Sequence, residues 1–266
     1  MTRGKWSRAI TLLAFLAFLI LMVWKPTFSA DEIAQKLWEA IAFRVAGSVI
    51  FALLIYEFEY RVFAIPKWKH LLILIPAWAV VINNLPILAL IWETATVDRM
   101  DLIWLFALQS LCIGLFEELV FRGVLFVALL EKRRASTKQI FWVTVVSSAL
   151  FGLIHLANLL EGAGIVPTLM QVGYSFLIGA MCSIVLLKTG DLLQCILLHS
   201  VYNFCGGLLP TLGSGDWWDT PTIIITAVLA VAVSGWMLYI LLHVKPKDTD
   251  RFYGKKKGND DEYVEI

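Results

Sequence analysis

Apolar runs of bilayer-crossing length recur along the whole chain, each closed by a short polar or charged interval. They fall near 9–24, 41–56, 71–92, 102–130, 140–160, 169–187, 192–209 and 223–244. A helix needs roughly 17 to 25 apolar residues to cross a bilayer, so the pattern predicts about eight transmembrane helices. The expected fold is an all-α, polytopic membrane protein. One membrane domain covers 1–244, with no internal repeat and no soluble insertion, and a polar tail at 245–266 reads as disordered.

Composition agrees. Of 266 residues, 59% are hydrophobic and only 16% charged, and the mean hydropathy of +0.78 exceeds that of an ordinary soluble domain. Net charge is only +1, but its distribution carries information. Arg3, Lys5 and Arg8 precede the first run; Arg61, Lys67 and Lys69 follow the second. Lys132, Arg133, Arg134 and Lys138 follow the fourth, Lys188 the sixth, and Lys245 and Lys247 the last. Eight crossings put all of these on one side, opposite the more acidic loops "TFSADEIAQ", "ETATVDRMD", "EGAGIVP" and "SGDWWDTP". The excess of Lys and Arg predicts that both termini are cytosolic. The small loops point to a plasma membrane, with the endoplasmic reticulum as the alternative. Phe28 disfavours cleavage before Asp31, so the first run reads as a retained anchor.

Some polar residues have structural readings. Glu39 and Arg44 stand at the mouth of the second run, where Arg44 can snorkel to the headgroups. Asn83 and Asn84, just before Pro86, predict a helix break satisfied inside the protein. Trp24, Trp68, Trp92, Trp217 and Trp218 fit an interfacial belt. Cys112, Cys182, Cys195 and Cys205 lie inside spans without metal-type spacing and read as packing residues.

The fourth run departs from this pattern. "FEELVFRG", 116–123, places Glu117, Glu118 and Arg122 in a buried setting where each charge costs about 2.5 to 3.5 kcal/mol. Glu118 and Arg122 are four apart in the favoured order for an ion pair, while Glu117 points about 100° away. The fifth run carries Phe151 and His155 in "FGLIHLAN", with Asn158 close by, and the seventh carries His199 and Asn203 in "LLHSVYNF". Each pair is four apart, on one helical face. Carboxylates, imidazoles and an amide at similar depth imply a wet cavity.

In order and spacing these motifs resemble the CAAX proteases and bacteriocin-processing enzymes, the CPBP or Abi family, which includes the Ras-converting CAAX endopeptidase. The shared pattern is Glu-Glu-x-x-x-Arg, Phe-x-x-x-His and His-x-x-x-Asn on separate helices, and it covers about 102–209. The resemblance implies an intramembrane endopeptidase with its site inside the bundle. Glu117 and His155 would activate water, His199 and Asn203 would bind the oxyanion, and Glu118, Arg122 and Phe151 would support the site. It further implies a peptide or lipidated protein as substrate and membrane lipids as surroundings, with no nucleic acid. Substrate classes it allows are prenylated C-termini, secreted peptides and bacteriocins.

No serine or cysteine is obviously paired with a base, which favours activated water without a cofactor. A zinc alternative, with Glu117, His155 and His199 as ligands, stays open, since two histidines and a carboxylate form a known catalytic set. Asn203 and the lack of a His-Glu-x-x-His helix weigh against it. A proton-coupled transporter and a non-catalytic immunity protein that binds a peptide are the other readings.

Overall fold

The computed structural model describes residues 26–66, 68–217 and 219–253, together with 12, 13, 15, 16, 19 and 20. Apart from those six positions, the predicted first span lies outside the described residues, with Arg3, Lys5, Arg8 and Trp24. Lys67, Trp218 and 254–266 lie outside them too.

Helix α1, Glu32–Glu57, starts nine residues before the apolar run that revealed it. Its start is set by a cap: the Asp31 carboxylate accepts from Ala34 N at 2.8 Å. That bond, with the Arg99 guanidinium, holds Asp31 below the usual carboxylate range. The polar first turns, with a Lys36–Glu32 pair at 2.7 Å, are invisible to a search for apolar runs.

The third predicted span is broken, as its Asn-Asn-x-Pro sequence requires. Helix α2, Leu74–Asn83, ends before Pro86, and a short helix α3, Ile87–Ile91, follows. Both asparagines bond to neighbouring elements: Asn83 Nδ2 donates to Thr226 Oγ1 at 2.8 Å and Asn84 Nδ2 to the Tyr202 carbonyl at 2.9 Å.

Next comes one long helical run that changes its winding. Helix α4, Ile103–Glu118, passes into a π-helical stretch, Leu119–Phe126, and resumes as α5, Val127–Lys132. Helix α6, Thr137–Leu153, continues as a 3-10 stretch, Ile154–Glu161, stopped by Gly162 at φ 89°. Three long helices complete the bundle: α7 Ile165–Thr189, α8 Leu192–Leu212 and α9 Thr220–Leu242. Five helical runs among the described residues are long and apolar enough to cross a membrane: α1, α6 with its 3-10 extension, α7, α8 and α9. The all-α polytopic membrane fold stands.

The core is built on α7 and α8, whose Cys182, Val185, Leu186, Leu187, Leu192 and Leu198 are fully buried. Lipid-facing positions stay apolar, as Ile224, Val228 and Val231 on α9 do. Close approach of α1 to α4 depends on Gly47, because a Cβ there would overlap the Phe116 ring. Phe43 and Phe51 flank that ring edge-on, with centroids 6.2 and 6.0 Å away. All four cysteines are buried and unpaired, as their packing role requires.

The loops sort to two ends as their charges predict. At one end Asp31 pairs with Arg99 at 2.9 Å, and Asp98 and Arg99 donate backbone N–H groups to the Leu212 carbonyl. There the chain also forms a small ribbon absent from the expectation: β1, Ala95–Val97, antiparallel to β2, Gly213–Gly215. At the other end Arg61 N bonds the Phe252 carbonyl at 2.9 Å, Arg251 bonds the Lys188 carbonyl, and Arg134 pairs with Asp250 at 2.6 Å. Burial, reinforced by Glu131, pushes the Tyr60 hydroxyl at this end up to about 12.

The expected disordered tail begins as an ordered plug. Residues Pro246–Phe252 form a 3-10 turn with Phe252 fully buried, and the Tyr253 hydroxyl donates to the Val127 carbonyl at 2.8 Å. Its polar composition hid two aromatic anchors.

Candidate active site

The two carboxylates of α4 sit at its end, where the winding loosens from α to π. Sequence periodicity gave no sign of that change, and such insertions are frequent at functional sites. The ion pair forms nevertheless: Arg122 Nη1 donates to Glu118 Oε1 at 2.8 Å, with both side chains essentially out of solvent. Glu118 Oε2 and the Arg122 Nε and Nη2 atoms are buried without a hydrogen-bond partner among the described residues, so the pair leans on its one short bond and on what packs against it. Arg122 lays its guanidinium over the Phe151 ring at 4.2 Å. Gly179 of α7 makes room for it, since a Cβ there would stand 2.8 Å from Nη2. Gly179 belongs to the site by this geometry, and nothing in the local sequence marks it.

Glu118 also serves His199. The same Oε1 accepts from His199 Nδ1 at 2.8 Å, which fixes the imidazole and turns its Nε2 toward Glu117. Between Nε2 and Glu117 Oε2 the distance is 3.7 Å. This is too long for a direct hydrogen bond. Glu117 is the more open of the two acids, with its side chain 20% exposed. The division predicted for the pair is therefore observed: one carboxylate is held by Arg122, and the other faces a partly open space.

His155 stands on the first turn of the 3-10 stretch after α6. Its Nδ1 lies 3.0 Å from the Phe151 carbonyl. A carbonyl only accepts, so Nδ1 is the donor in this contact. Phe151 links the two imidazoles, with its ring 5.5 Å from His155 and 5.6 Å from His199, edge-on to both. Asn203 lies one turn beyond His199 on the same face of α8, half-buried. Asn158 is drawn into a different bond, to Gln171 Oε1 at 2.8 Å.

Thus Glu117, Glu118, Arg122, Phe151 and His199 are joined by contacts, and His155 joins through Phe151. Three hydroxyls on the nearby helices are committed elsewhere: Ser148, Ser183 and Ser200 each donate to the carbonyl one turn back. None pairs with an imidazole. Among the described residues no three His, Cys, Asp or Glu side chains converge where one ion would be held.

Arg44, expected to snorkel from the span mouth, is the thirteenth residue of the 26-residue α1, and its Nη1 donates to the Ala40 carbonyl, one turn toward the helix start, at 3.2 Å.

A cavity of about 360 Å³ opens among α2, α6, α7, α8 and α9. It is an apolar hollow bordered by Asn84, Thr144, Tyr174, Tyr202, Ala230 and Met237. None of the predicted site residues lines it, although Tyr202 is the chain neighbour of Asn203.

Residues 99–205 match the family model of the type II CAAX prenyl endopeptidases, Rce1-like. This stretch of the chain is similar to that family. The match spans the stretch that carries all three motifs and leaves the chain on either side unmatched. No curated protein matches the chain, and no solved structure does. Endopeptidase activity on a peptide or protein, in a multi-pass membrane protein, is what this likeness and the apolar helices support.

Proposed function

We propose that this protein hydrolyses a peptide bond of a membrane-associated substrate, prenylated CAAX-type proteins being the class the family favours, with water activated by Glu117 and His155. The observation that carries this reading is the chain Arg122, Glu118, His199, ending 3.7 Å from the partly open Glu117. A water or substrate oxygen entering that gap meets a base on one side and an imidazole on the other.

In the proposed sequence, a water is held between the Glu117 carboxylate and the Nε2 lone pair of His155. Its oxygen attacks the scissile carbonyl carbon as Glu117 takes one of its protons. The resulting oxyanion accepts hydrogen bonds from His199 Nε2 and the Asn203 amide. A donating Nε2 requires the imidazolium form, whose charge the Glu118 carboxylate faces at 2.8 Å. Collapse of the intermediate breaks the C–N bond, and Glu117 returns its proton to the leaving amine. Arg122 and Phe151 hold the frame. The apolar hollow beside Tyr202 suits the hydrocarbon tail of a lipidated substrate.

No metal takes part in this proposal. The test compares the membrane peptidomes of wild type and Glu117→Gln. The variant should lose cleavage by about 100-fold or more, the scale of a general base, while remaining inserted and folded. Unchanged peptidomes would sink the reading, and stoichiometric zinc whose chelation abolishes cleavage would replace the metal-free step.

A further inference from the structure

A serine buried in a helix commonly returns its hydroxyl to the carbonyl one turn back, as Ser148, Ser183 and Ser200 do here. Ser110 does not. It is 1% exposed, and its Oγ has no hydrogen-bond partner among the described residues. A buried hydroxyl left in this state costs free energy, so it needs an explanation. Ser48 and Ser147 share the condition, but Ser110 is the one whose helix register sets it opposite Asn203.

That register follows from the contacts on either side of it. Ser110 lies midway between Phe106 and Gly114 on one face of α4. Phe106 meets α8 at Gly207, where an added Cβ would stand 2.8 Å from its ring, and at Phe204, with ring centroids 5.6 Å apart. Gly114 meets α8 nearer its start, since a Cβ there would overlap the Ser200 hydroxyl and stand 3.0 Å from the Ile196 carbonyl. One turn further along α4, Glu118 bonds His199. The two helices are therefore antiparallel, and Ser110 falls against the interval between Ser200 and Gly207. Ile196, Ser200, Asn203 and Gly207 follow one another at helical spacing as the stripe of α8 turned to α4. Asn203 is the member of that stripe at the level of Ser110.

A carboxamide carries an acceptor and two donors on one rotor, and only the amino side can serve an oxyanion. Something must hold the oxygen the other way. We propose that Ser110 is a positioning residue for Asn203: its hydroxyl donates to Asn203 Oδ1 as the oxyanion forms, and so keeps Nδ2 aimed at that charge. This rests on the proteolytic reading above and deepens it. In the resting structure the Ser110 hydroxyl is unpartnered, so the bond is made on the way to the transition state, where it lowers the barrier rather than tightening substrate binding. Ser110 neither attacks the substrate nor gives up its proton.

The test uses the full-length protein in liposomes and a quenched fluorescent peptide carrying an S-farnesyl cysteine followed by three aliphatic residues. Ser110→Ala removes the hydroxyl with little change in volume. It should lower kcat about tenfold, equivalent to about 1.4 kcal/mol, and leave KM within about twofold of wild type. Its unfolding temperature should match or exceed that of wild type, because an unpaired buried hydroxyl gives way to a hydrogen. In the Asn203→Ala background the same substitution should cost nothing further in kcat, as expected of two groups acting as one unit. An unchanged kcat in Ser110→Ala, a loss confined to KM, or an equal loss with and without Asn203 would overturn the positioning role. A loss of kcat with a lowered unfolding temperature would overturn it too, and mark Ser110 as a packing residue. Glu117→Gln keeps the two proposals apart. If wild type cuts the peptide no faster than Glu117→Gln, the proteolytic reading falls and takes this one with it; if wild type is faster and Ser110→Ala equals it, only the positioning role falls.

Discussion

Glu118 has two partners, Arg122 and His199, and this double duty decides how substitutions at the site should behave. Breaking a buried ion pair from one side leaves an uncompensated charge, so Arg122→Ala should cost about 3–5 kcal/mol of stability. Replacing both partners by apolar residues of similar size should be far milder on that account. The double variant Glu118→Leu with Arg122→Met should therefore unfold in detergent at a temperature near that of wild type. It should still be inactive, because His199 loses the acceptor on Nδ1 that fixes its ring. Full activity in the double variant would show that Glu118 is only structural. Glu117 obeys a different logic: it is partly open and has no direct hydrogen-bond partner among the contacts described, which suits a group that exchanges protons. The Glu-Glu-x-x-x-Arg spacing makes this division of labour legible. Gly179, which admits the guanidinium, is not legible, because it matters only through a neighbour on another helix.

At the scale of elements, the site depends on local departures from α geometry. The π-helical stretch after Glu118 and the 3-10 stretch carrying His155 both follow well-formed α-helices, and both were read as continuous α from periodicity. The hydrophobic pattern of a membrane span is nearly the same for either winding, so it carries no signal of the change. The register of α1 on α4 is likewise tertiary. Gly47 accepts the Phe116 ring at a distance that forbids a side chain, and Phe116 adjoins Glu117. Gly47→Ala should cost about 1–3 kcal/mol through overpacking and lower kcat more than it raises KM, since the shift passes to Glu117. Pairing it with Phe116→Leu should recover part of both losses. If Gly47→Ala leaves unfolding and kinetics unchanged, the close approach does not matter.

For the whole molecule, two ends and one buried cluster summarise the architecture. Lys and Arg of alternate loops gather at the end closed by the Pro246–Phe252 turn, and we propose that this end faces the cytosol of a plasma membrane. A cysteine introduced as Lys247→Cys should then react with a membrane-impermeant thiol reagent only in inverted vesicles; labelling in intact cells would reverse the orientation. The plug at this end is a packing element. Phe252→Ala should destabilise the fold by about 3–5 kcal/mol, the usual cost of emptying a buried aromatic site, where a disordered tail would give no effect in thermal unfolding. The sequence by itself determined the all-α membrane class, the alternation of loops, the break before Pro86 and the identity of the charged cluster. Each of these is written in local chemistry: apolar length against bilayer thickness, charge against lipid, and proline against a backbone hydrogen bond. Only the tertiary structure decided which carboxylate is locked and which is open, where α1 begins, and that the tail folds back as far as Tyr253. Those outcomes depend on contacts between residues far apart in the chain, where steric fit and shared partners rather than periodicity choose the arrangement.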